Sequence, residues 1–224
     1  MEWDKIYQQG KQLNRYPFSD IVSLIFKMKQ AKPNLKVLEL GCGAGNNVVF
    51  MASEGVSVAG IDISQTAIDF AKSRLQQLNL NAELIVGDFC AQPWQDNTFD
   101  LVIDRSALNC VPRKQIKQAL AEVNRVLKPS GCLYSSMYSD LHPAYITAQI
   151  RSEEFTKGLT LAGYQDIDGL YFASKNDITS LFSEFETLEA SLNTSVSLEE
   201  EVLSATWSIT AFKADIDQDR PASD

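Results

Sequence analysis

A short β-rich run, Lys36–Leu40, leads directly into three alternating glycines, Gly41, Gly43 and Gly45, and a helical pattern follows them. Glycine lets the backbone turn tightly and approach a ligand closely because it has no Cβ. The start of the helix behind such a turn offers free N–H groups to an anionic part of a ligand. Many glycine-rich turns bind nothing, so the sequence around this one decides its interpretation.

Five strand-like runs alternate with amphipathic helical patterns over much of the chain. The run at residues 99–103 is apolar enough to be buried on both faces. Such an alternation predicts a parallel sheet that is covered by helices on both faces. The five predicted strands are Lys36–Leu40, Val56–Ile61, Glu83–Val86, Phe99–Ile103 and Cys132–Tyr138.

The C-terminal part has a different pattern. Phe185–Leu192 and Ala205–Phe212 are predicted to be strands that an acidic loop joins. In the second of them, Trp207, Ile209 and Ala211 alternate with polar residues. A period of two predicts an antiparallel strand rather than a further strand–helix–strand unit.

Helical patterns occupy the N-terminal region. Residues 18–30 have one apolar face, and Ser19 or Asp20 is the expected N-cap. A weaker helical pattern spans Trp3–Leu13, and the two together predict a helical cap before the first strand. Far along the chain, the spacing of Ser174 and Asp177 predicts a capping box at the start of another helix.

Charge and composition exclude several classes of partner. The 224 residues have a formal net charge of -9 and a pI of about 4.7. Nucleic acids repel such a chain unless a basic stripe binds their phosphates, and we find none. No apolar run approaches the roughly 20 residues of a membrane span, and the first residues lack the layout of a signal peptide. We therefore expect a cytoplasmic protein with no nucleic-acid or membrane partner.

The metal-binding residue types are few and scattered. Cys42, Cys90, Cys110 and Cys132 form no Cys-x-x-Cys pair, and His142 is the one histidine of the sequence. This spacing suggests neither a zinc site nor a redox pair. We expect no metal, and cysteines that stay reduced and serve as small apolar residues.

An acid at the end of the second predicted strand strengthens the interpretation of the glycine turn. Asp62 follows Gly41 by 21 residues. At this offset a carboxylate accepts hydrogen bonds from both ribose hydroxyls of a nucleoside cofactor. Asp62 is otherwise a helix N-cap, although Ser64 is better placed for that role. Because the turn and the acid occur together in one strand–helix–strand unit, we favour ribose binding.

The run Glu39–Gly45, with the sequence ELGCGAG, resembles motif I of the class I S-adenosylmethionine-dependent methyltransferases. This family has GxGxG where dinucleotide-binding proteins have GxGxxG. Further segments follow in the family's order. Gly87–Phe89 resembles its acidic segment after strand three, Pro93–Val102 its loop and fourth strand, and Leu127–Gly131 its turn before strand five. The resemblance covers about residues 36–140.

The resemblance implies a doubly wound α/β fold. The expected sheet has seven mostly parallel strands in the order 3-2-1-4-5-7-6, with the last strand antiparallel, helices on both faces and an N-terminal helical cap. We expect one domain over residues 1–214, followed by a flexible tail over 215–224. Within it, 1–33 would form the cap, 36–140 the cofactor-binding core, and 141–214 the acceptor side with the last strands.

The resemblance also implies S-adenosylmethionine as the cofactor, and a set of residues that bind it. The glycine turn would pass its methionine part, and the acid after strand two would hold its ribose beside an apolar contact to adenine. The acid after strand three would accept from the adenine N6, next to an aromatic ring. These residues are Gly41, Cys42, Gly43, Gly45, Asp62, Ile63, Asp88 and Phe89.

Three residues before the first strand are predicted to close the cofactor site. Elements at this position often cover the cofactor in the family, so Tyr7, Arg15 and Tyr16 are lid candidates. The alternative is a helix that packs its aromatic side chains on the core. Glu39 either reaches the amino end of the cofactor indirectly or has a structural role.

The acceptor is expected beyond the carboxyl ends of strands four and five, where open parallel sheets bind ligands. Arg105 is a candidate for both catalysis and cofactor binding; it would clamp an acceptor carboxylate or phosphate, or simply pair with Asp104. His142 is a candidate general base because imidazole titrates near neutral pH, and Asp140 is a second catalytic candidate. His142 is otherwise a surface or packing residue. The family's Asn/Asp-Pro-Pro-aromatic motif is absent, which argues against amide or nucleobase acceptors.

These patterns together predict an S-adenosylmethionine-dependent methyltransferase that acts on a small molecule by direct displacement, as a monomer or a homodimer. Two alternatives stay open. One is an NAD-type oxidoreductase, for which Gly45 lies one residue too early in the glycine motif. The other is a module that binds the cofactor without catalysis, because a fold alone never fixes chemistry.

Overall fold

The computed structural model describes residues 2–215. Most of the predicted flexible tail, residues 216–224, lies outside this described part. Its first residue, Asp215, accepts a hydrogen bond from Ser130 Oγ at 2.9 Å.

A seven-stranded sheet forms the centre of the fold, and a separate two-stranded sheet lies beside it. Helices pack on both faces of the large sheet. The helices are α1 (Glu2–Gln8), α2 (Ser19–Ala31), α3 (Asn46–Ser53), α4 (Gln65–Gln77), α5 (Arg113–Val126), α6 (Pro143–Ile146) and α7 (Lys175–Leu181). The strands are β1 (Lys36–Leu40), β2 (Ser57–Asp62), β3 (Glu83–Val86), β4 (Phe99–Arg105), β5 (Leu127–Tyr138), β6 (Thr156–Lys157), β7 (Gly169–Leu170), β8 (Thr187–Val196) and β9 (Val202–Phe212).

The large sheet has the order β3-β2-β1-β4-β5-β9-β8. This order confirms the predicted 3-2-1-4-5-7-6, because the two short strands β6 and β7 form the small sheet. Strand β9 runs antiparallel to both of its neighbours, as its period of two predicted. The chain therefore places its last strand inside the sheet rather than at the edge.

Each face of the sheet has its own apolar core. Leu38 and Leu40 of β1 pack in the core under α5 and α7, whereas Val37 packs in the core under α2, α3 and α4. Side chains along a strand alternate between its two faces, so one continuous apolar run serves both cores. The carboxyl ends of β1, β2, β4 and β5 all reach the same edge of the sheet.

Two of the three helix starts that we predicted from capping residues are confirmed. Ser64 Oγ accepts from the Ala67 N–H at 3.1 Å at the start of α4. A capping box forms at the start of α7. The prediction for α2 is wrong, because its N-cap is Phe18. The Phe18 N–H donates instead to Asn47 Oδ1 at 3.0 Å, which ties the start of α2 to the start of α3.

Residues 141–173 form a small lobe beside the sheet edge, with its own apolar cluster around Ala144, Leu159, Leu170 and Phe172. Strands β6 and β7 and the helix α6 belong to this lobe. None of the described helices has the length and apolar character that a bilayer span requires.

Candidate active site

A cavity of about 620 Å³ opens at the carboxyl edge of the sheet. This volume lies within the range of small-molecule sites, roughly 300–1,000 Å³. Its walls come from the glycine turn after β1, the ends of β2, β4 and β5, the segment after β3, the N-terminal segment and residues 163–170 of the lobe. The fold therefore brings seven separate parts of the chain to one site.

The glycine turn admits no side chain at two positions. Gly41 and Gly43 have φ values of +56° and +51°, a region that only glycine adopts readily. A Cβ on Gly41 would collide with the Cβ of Ala107, and one on Gly43 would lie 2.5 Å from Tyr7 Oη. Both backbones therefore lie against the cavity wall as the sequence suggested.

Asp62 braces this turn while it lines the cavity. Its Oδ2 accepts from the Gly43 N–H and its Oδ1 from the Ser64 N–H, each at 2.8 Å. Burial raises the pKa of Asp62, and the two backbone hydrogen bonds oppose that effect. A carboxylate offers about four lone-pair sites, so both oxygens still have capacity to accept from a ligand.

Glu39 is a buried carboxylate with one unsatisfied oxygen. Its Oε1 accepts from Asn47 Nδ2 at 2.6 Å, but its Oε2 has no hydrogen-bond partner among the described residues. Burial raises the pKa of Glu39 to about 8; the hydrogen bond from Asn47 opposes this shift, and the charges of Asp62 and Asp104 add to it. Glu39 lines the cavity, so a cationic ligand group would satisfy the free oxygen.

The part of the cavity beyond the ends of β2 and β3 has an acid and two apolar side chains. Asp88 is exposed, and its Oδ1 accepts from the Cys90 N–H at 2.8 Å. Ile63 is 41% exposed although it is apolar, and Phe89 is partly buried beside it in the cavity wall. A hydrogen-bond acceptor between apolar side chains is suited to a flat ring with an exocyclic amino group.

These features fit S-adenosylmethionine. The unpaired carboxylate of Glu39 suits its ammonium group, Asp62 suits its ribose hydroxyls, and Ile63, Asp88 and Phe89 suit adenine. Gly41 and Gly43 of the glycine turn line the same cavity, where its methionine part would lie. Within residues 2–215, no group of three His, Cys, Asp or Glu side chains is placed to hold a metal ion.

Arg105 ends β4 and belongs to the half of the cavity that β4, β5 and the lobe form, opposite the half formed by β1, β2 and β3. Asp104 is not its partner. Arg105 Nε lies 3.2 Å from Asp20 Oδ2, and its guanidinium carbon stacks 4.4 Å from the centre of the Phe18 ring. Asp104 is fully buried and accepts instead from Ser135 Oγ and from the N–H groups of residues 107 and 108. The guanidinium is therefore held at the cavity wall by the N-terminal region.

Aromatic side chains complete the second half. Tyr138 from the end of β5 and Tyr164 from the lobe both line the cavity, with ring centres 5.8 Å apart. Ile167 and Leu170 add apolar surface from the same lobe. Tyr7, one of the three lid candidates, also lines the cavity and lies above Gly43.

The structure does not bring His142 or Asp140 into the cavity lining. His142 is 2% exposed and caps α6, where its Nδ1 accepts from the Ala144 N–H at 3.1 Å. Burial lowers its pKa, so the imidazole is neutral near pH 7. Asp140 accepts from Ser139 Oγ. The expected base is thus a packing and capping residue, and the sequence alone could not separate these roles for a single histidine.

Three predicted cofactor residues also lie outside the lining. Gly45 is the N-cap of α3 with φ of +77°, and a Cβ there would lie 2.8 Å from the Cβ of Ala71, so this glycine permits helix packing behind the site. Tyr16 is 74% exposed, and Arg15 stacks over its ring. Arg74 holds the backbone of this segment, because its guanidinium donates a hydrogen bond to the Arg15 carbonyl.

Several lining residues were not among the predicted ones. Asn46 and Asn47 directly follow the glycine turn, and their position could have indicated them. Tyr164 and Ile167 belong to a lobe with no periodic pattern, so no signal in the sequence marked them. The lining residues that the sequence did not indicate are Trp3, Gln12, Asn14, Phe18, Asn46, Asn47, Ala107, Cys110, Val111, Gln115, Gly163, Tyr164, Ile167 and Leu170.

Comparison with known proteins decides the family. A family model described as a methyltransferase domain matches residues 31–186, well over half of the chain. The chain belongs to this family. It is a class I S-adenosylmethionine-dependent methyltransferase, which confirms the predicted family, enzyme class and cofactor.

Individual relatives support the same fold and family. Squalene methyltransferase 1 from Botryococcus braunii is 37% identical over 103 residues, which cover 45% of this methyltransferase and 27% of the relative. The chain thus spans about a quarter of that relative's length. A methyltransferase from Methanosarcina mazei is 21% identical with a TM-score of 0.69, over 89% of this chain and 99% of that one.

A third relative was solved with the cofactor present. Magnesium protoporphyrin IX methyltransferase from Synechocystis, with bound S-adenosylmethionine, is 15% identical with a TM-score of 0.60. The match covers 87% of this chain and 78% of that one. At this identity the likeness shows the shared fold alone.

Proposed function

We propose that this methyltransferase transfers a methyl group to a small-molecule acceptor by direct displacement inside the cavity. One observation carries the proposal. The cavity joins two chemically different halves, a carboxylate-rich wall that fits the cofactor and an aromatic wall around Arg105, and the Gly41–Gly43 turn lies at the first of them. One chamber therefore has room for cofactor and acceptor side by side.

The chain's own residues would hold the cofactor along the first wall. Bound S-adenosylmethionine supplies a methyl group that its sulfonium already activates for attack by an acceptor atom. Asp62 would accept from the ribose hydroxyls, and Glu39 Oε2 from the ammonium. Asp88 would accept from the adenine amino group between Ile63 and Phe89.

The protein's contribution to the reaction is alignment and exclusion of water. Among the described residues that line the aromatic half, no side chain is suited to remove a proton near neutral pH. Burial raises the pKa of Cys110 to about 12, with the charges of Asp104 and Asp62 adding to the shift. Burial, and then neighbouring Tyr164, also raise the pKa of Tyr138. We therefore propose an acceptor whose attacking atom needs no deprotonation by a base of this cavity.

A small acceptor fits the enclosure better than a macromolecule. The N-terminal segment and the lobe meet over the cavity, where Lys11 Nζ lies 2.5 Å from Asp166 Oδ2. The net charge of -9 also disfavours nucleic acid. Free cysteines, with no disulfide among the described residues, support a cytoplasmic location.

The proposal is tested with purified protein, radiolabelled methyl donor and a cell extract separated into low-molecular-mass, RNA and protein pools. We expect label in the low-molecular-mass pool, and none there with Asp62→Ala. Label that enters RNA or protein instead would contradict the small-molecule acceptor.

A further inference from the structure

Charge is distributed unequally between the two halves of the cavity. The lining carboxylates are Glu39, Asp62 and Asp88, and all three belong to the wall that fits the cofactor. Among the described residues that line the opposite half, there is no carboxylate, and Arg105 is the charged one. That half is therefore poorly suited to a cationic acceptor.

Arg105 has one end of its guanidinium free. Its Nε lies 3.2 Å from Asp20 Oδ2 as an ion pair without a well-aligned hydrogen bond, and its Nη1 donates to Ser106 Oγ at 3.1 Å. Within residues 2–215, its Nη2 makes no hydrogen bond. Asp20 also accepts from Tyr134 Oη at 2.9 Å, so this carboxylate is held from two sides and fixes the guanidinium. The ion pair with Asp20 and the stacking on Phe18 hold the guanidinium at the cavity wall, and the N–H groups of Nη2 have no partner among the described residues.

A second donor arises from the tautomer of His142. Because His142 Nδ1 accepts from the Ala144 N–H, the proton of the neutral ring must lie on Nε2. Nε2 lies 3.4 Å from Tyr164 Oη, a long hydrogen bond in which the imidazole donates. The Tyr164 hydroxyl oxygen therefore accepts a hydrogen bond from the His142 Nε2–H, and its own O–H is left to donate elsewhere.

Tyr138 lines the same part of the cavity and is a hydrogen-bonding neighbour of Tyr164. Its ring packs against both His142, at 5.0 Å, and Tyr164, at 5.8 Å. Since its pKa is raised, its hydroxyl stays protonated near neutral pH. Apolar Val111, Ile167 and Leu170 line the cavity around these groups.

We propose that the methyl acceptor has a carboxylate group, which Arg105, Tyr138 and Tyr164 bind together. The three side chains present N–H and O–H donors to one end of the cavity, and hydrogen bonds to a charged group are the stronger ones. His142 is a positioning residue, because it acts through Tyr164. The apolar body of the acceptor lies against the lobe. This inference rests on the proposed function and names its substrate class.

The test compares three probes that differ only in their head group: benzoate, benzamide and benzylamine. Each is titrated into protein saturated with S-adenosylhomocysteine and followed by ligand-observed NMR. We expect benzoate to bind most tightly. Arg105→Gln and Tyr164→Phe should each weaken benzoate by about tenfold, the effect of one lost hydrogen bond to a charged group.

Two variants serve as matched controls because their side chains lie outside the cavity lining. Arg151→Gln and Tyr145→Phe make the same chemical changes, and both should keep the preference for benzoate. Benzamide or benzylamine binding as tightly as benzoate, or no binding of any probe, would overturn the carboxylate proposal. A protein that fails to bind S-adenosylhomocysteine at all would instead contradict the proposed function.

The positioning role of His142 is tested by a measurement that a general loss of protein stability would not change. His142→Asn keeps an N-cap residue at the start of α6 but removes the Nε2–H. In a double-mutant cycle with Tyr164→Phe, we expect the two losses of benzoate affinity to be strongly non-additive. Additive losses would mean that His142 acts only through packing.

Discussion

At the scale of single residues, Glu39 is the most unusual side chain of the site. A buried carboxylate with an unpaired oxygen is costly to the folded protein, and such groups concentrate where proteins bind ligands. The sequence left its role open, since the position within ELGCGAG is compatible with a structural acid. Only the packing around β1 shows that Asn47 satisfies one oxygen and that the other is buried without a partner in a residue that lines the cavity.

The raised pKa of Glu39 predicts a pH-dependent stability. Without ligand, the folded protein holds this proton up to about pH 8, whereas the unfolded chain releases it near the ordinary value of 4.5. A cationic ligand group beside Glu39 would favour the ionised carboxylate. Between these values the folded state binds more protons, so the free energy of unfolding falls as pH rises, by at most about 1.4 kcal/mol per pH unit. In Glu39→Gln this contribution is absent. Urea unfolding of ligand-free protein at several pH values measures it, and parallel curves for both proteins would contradict the expectation.

The glycine turn gives a second prediction at this scale. Gly41→Ala forces a side chain into a left-handed backbone and into Ala107, and should lose S-adenosylhomocysteine binding as well as stability. Gly55→Ala is the control, because Gly55 has φ of +75° but open space around it. That variant should lose only about 1–2 kcal/mol, the cost of the backbone conformation, and still bind. Calorimetry and urea unfolding compare the two; equal losses would contradict a role for the close approach.

Residue identity was predictable from the sequence where spacing and backbone chemistry fix it. Gly41, Gly43 and Asp62 were singled out because a glycine turn and an acid at this distance from it are typical of nucleoside binding, and all three line the cavity. Arg15 and Tyr16, two of the lid candidates, lie outside the cavity lining, and a sequence does not show which way a side chain points in an irregular segment.

At the scale of elements, the N-terminal segment and the lobe together cover the site. Asp4 Oδ1 accepts from Ser64 Oγ and the Thr66 N–H, which fixes α1 to the start of α4. Beyond α1, the exposed pair Lys11–Asp166 joins the segment to the lobe. We infer that this pair slows release of the cofactor product without contributing much to global stability.

Asp166→Asn tests that inference. Both partners are exposed, so the variant should lose less than about 1 kcal/mol of stability. Release of S-adenosylhomocysteine should be faster, as stopped-flow displacement measures. The control is Asp168→Asn, which breaks the exposed pair Lys157–Asp168 within the lobe. Unchanged release in Asp166→Asn, or the same change in both variants, would contradict the inference.

Elements with a regular hydrophobic period were predicted well. Strands β1, β2 and β3, and helices α2, α4 and α5, follow from apolar spacing that burial imposes. The lobe was not predicted, because residues 141–173 form short irregular pieces whose cluster depends on contacts distant in sequence. For the same reason the acceptor half of the site was largely invisible before the structure.

At the scale of the whole molecule, the sheet order was predictable because the family resemblance and the strand patterns agreed. We propose that the chain up to residue 214 forms one domain, since β9 lies between β5 and β8 and joins the C-terminal part to the core. Such a chain should unfold in one cooperative transition. For the oligomeric state, monomer and homodimer are the two predicted alternatives.

The central claim is that the carboxylates at the sheet edge bind the cofactor. Calorimetric titration with S-adenosylhomocysteine tests it, on the wild type, on Asp62→Asn and on Asp69→Asn, whose exposed side chain lies outside the cavity lining. We predict one binding site per chain, affinity at least about tenfold weaker in Asp62→Asn, unchanged affinity in Asp69→Asn, and no binding of NAD. Full affinity in Asp62→Asn, or binding of NAD in place of the sulfur ligand, would contradict the account.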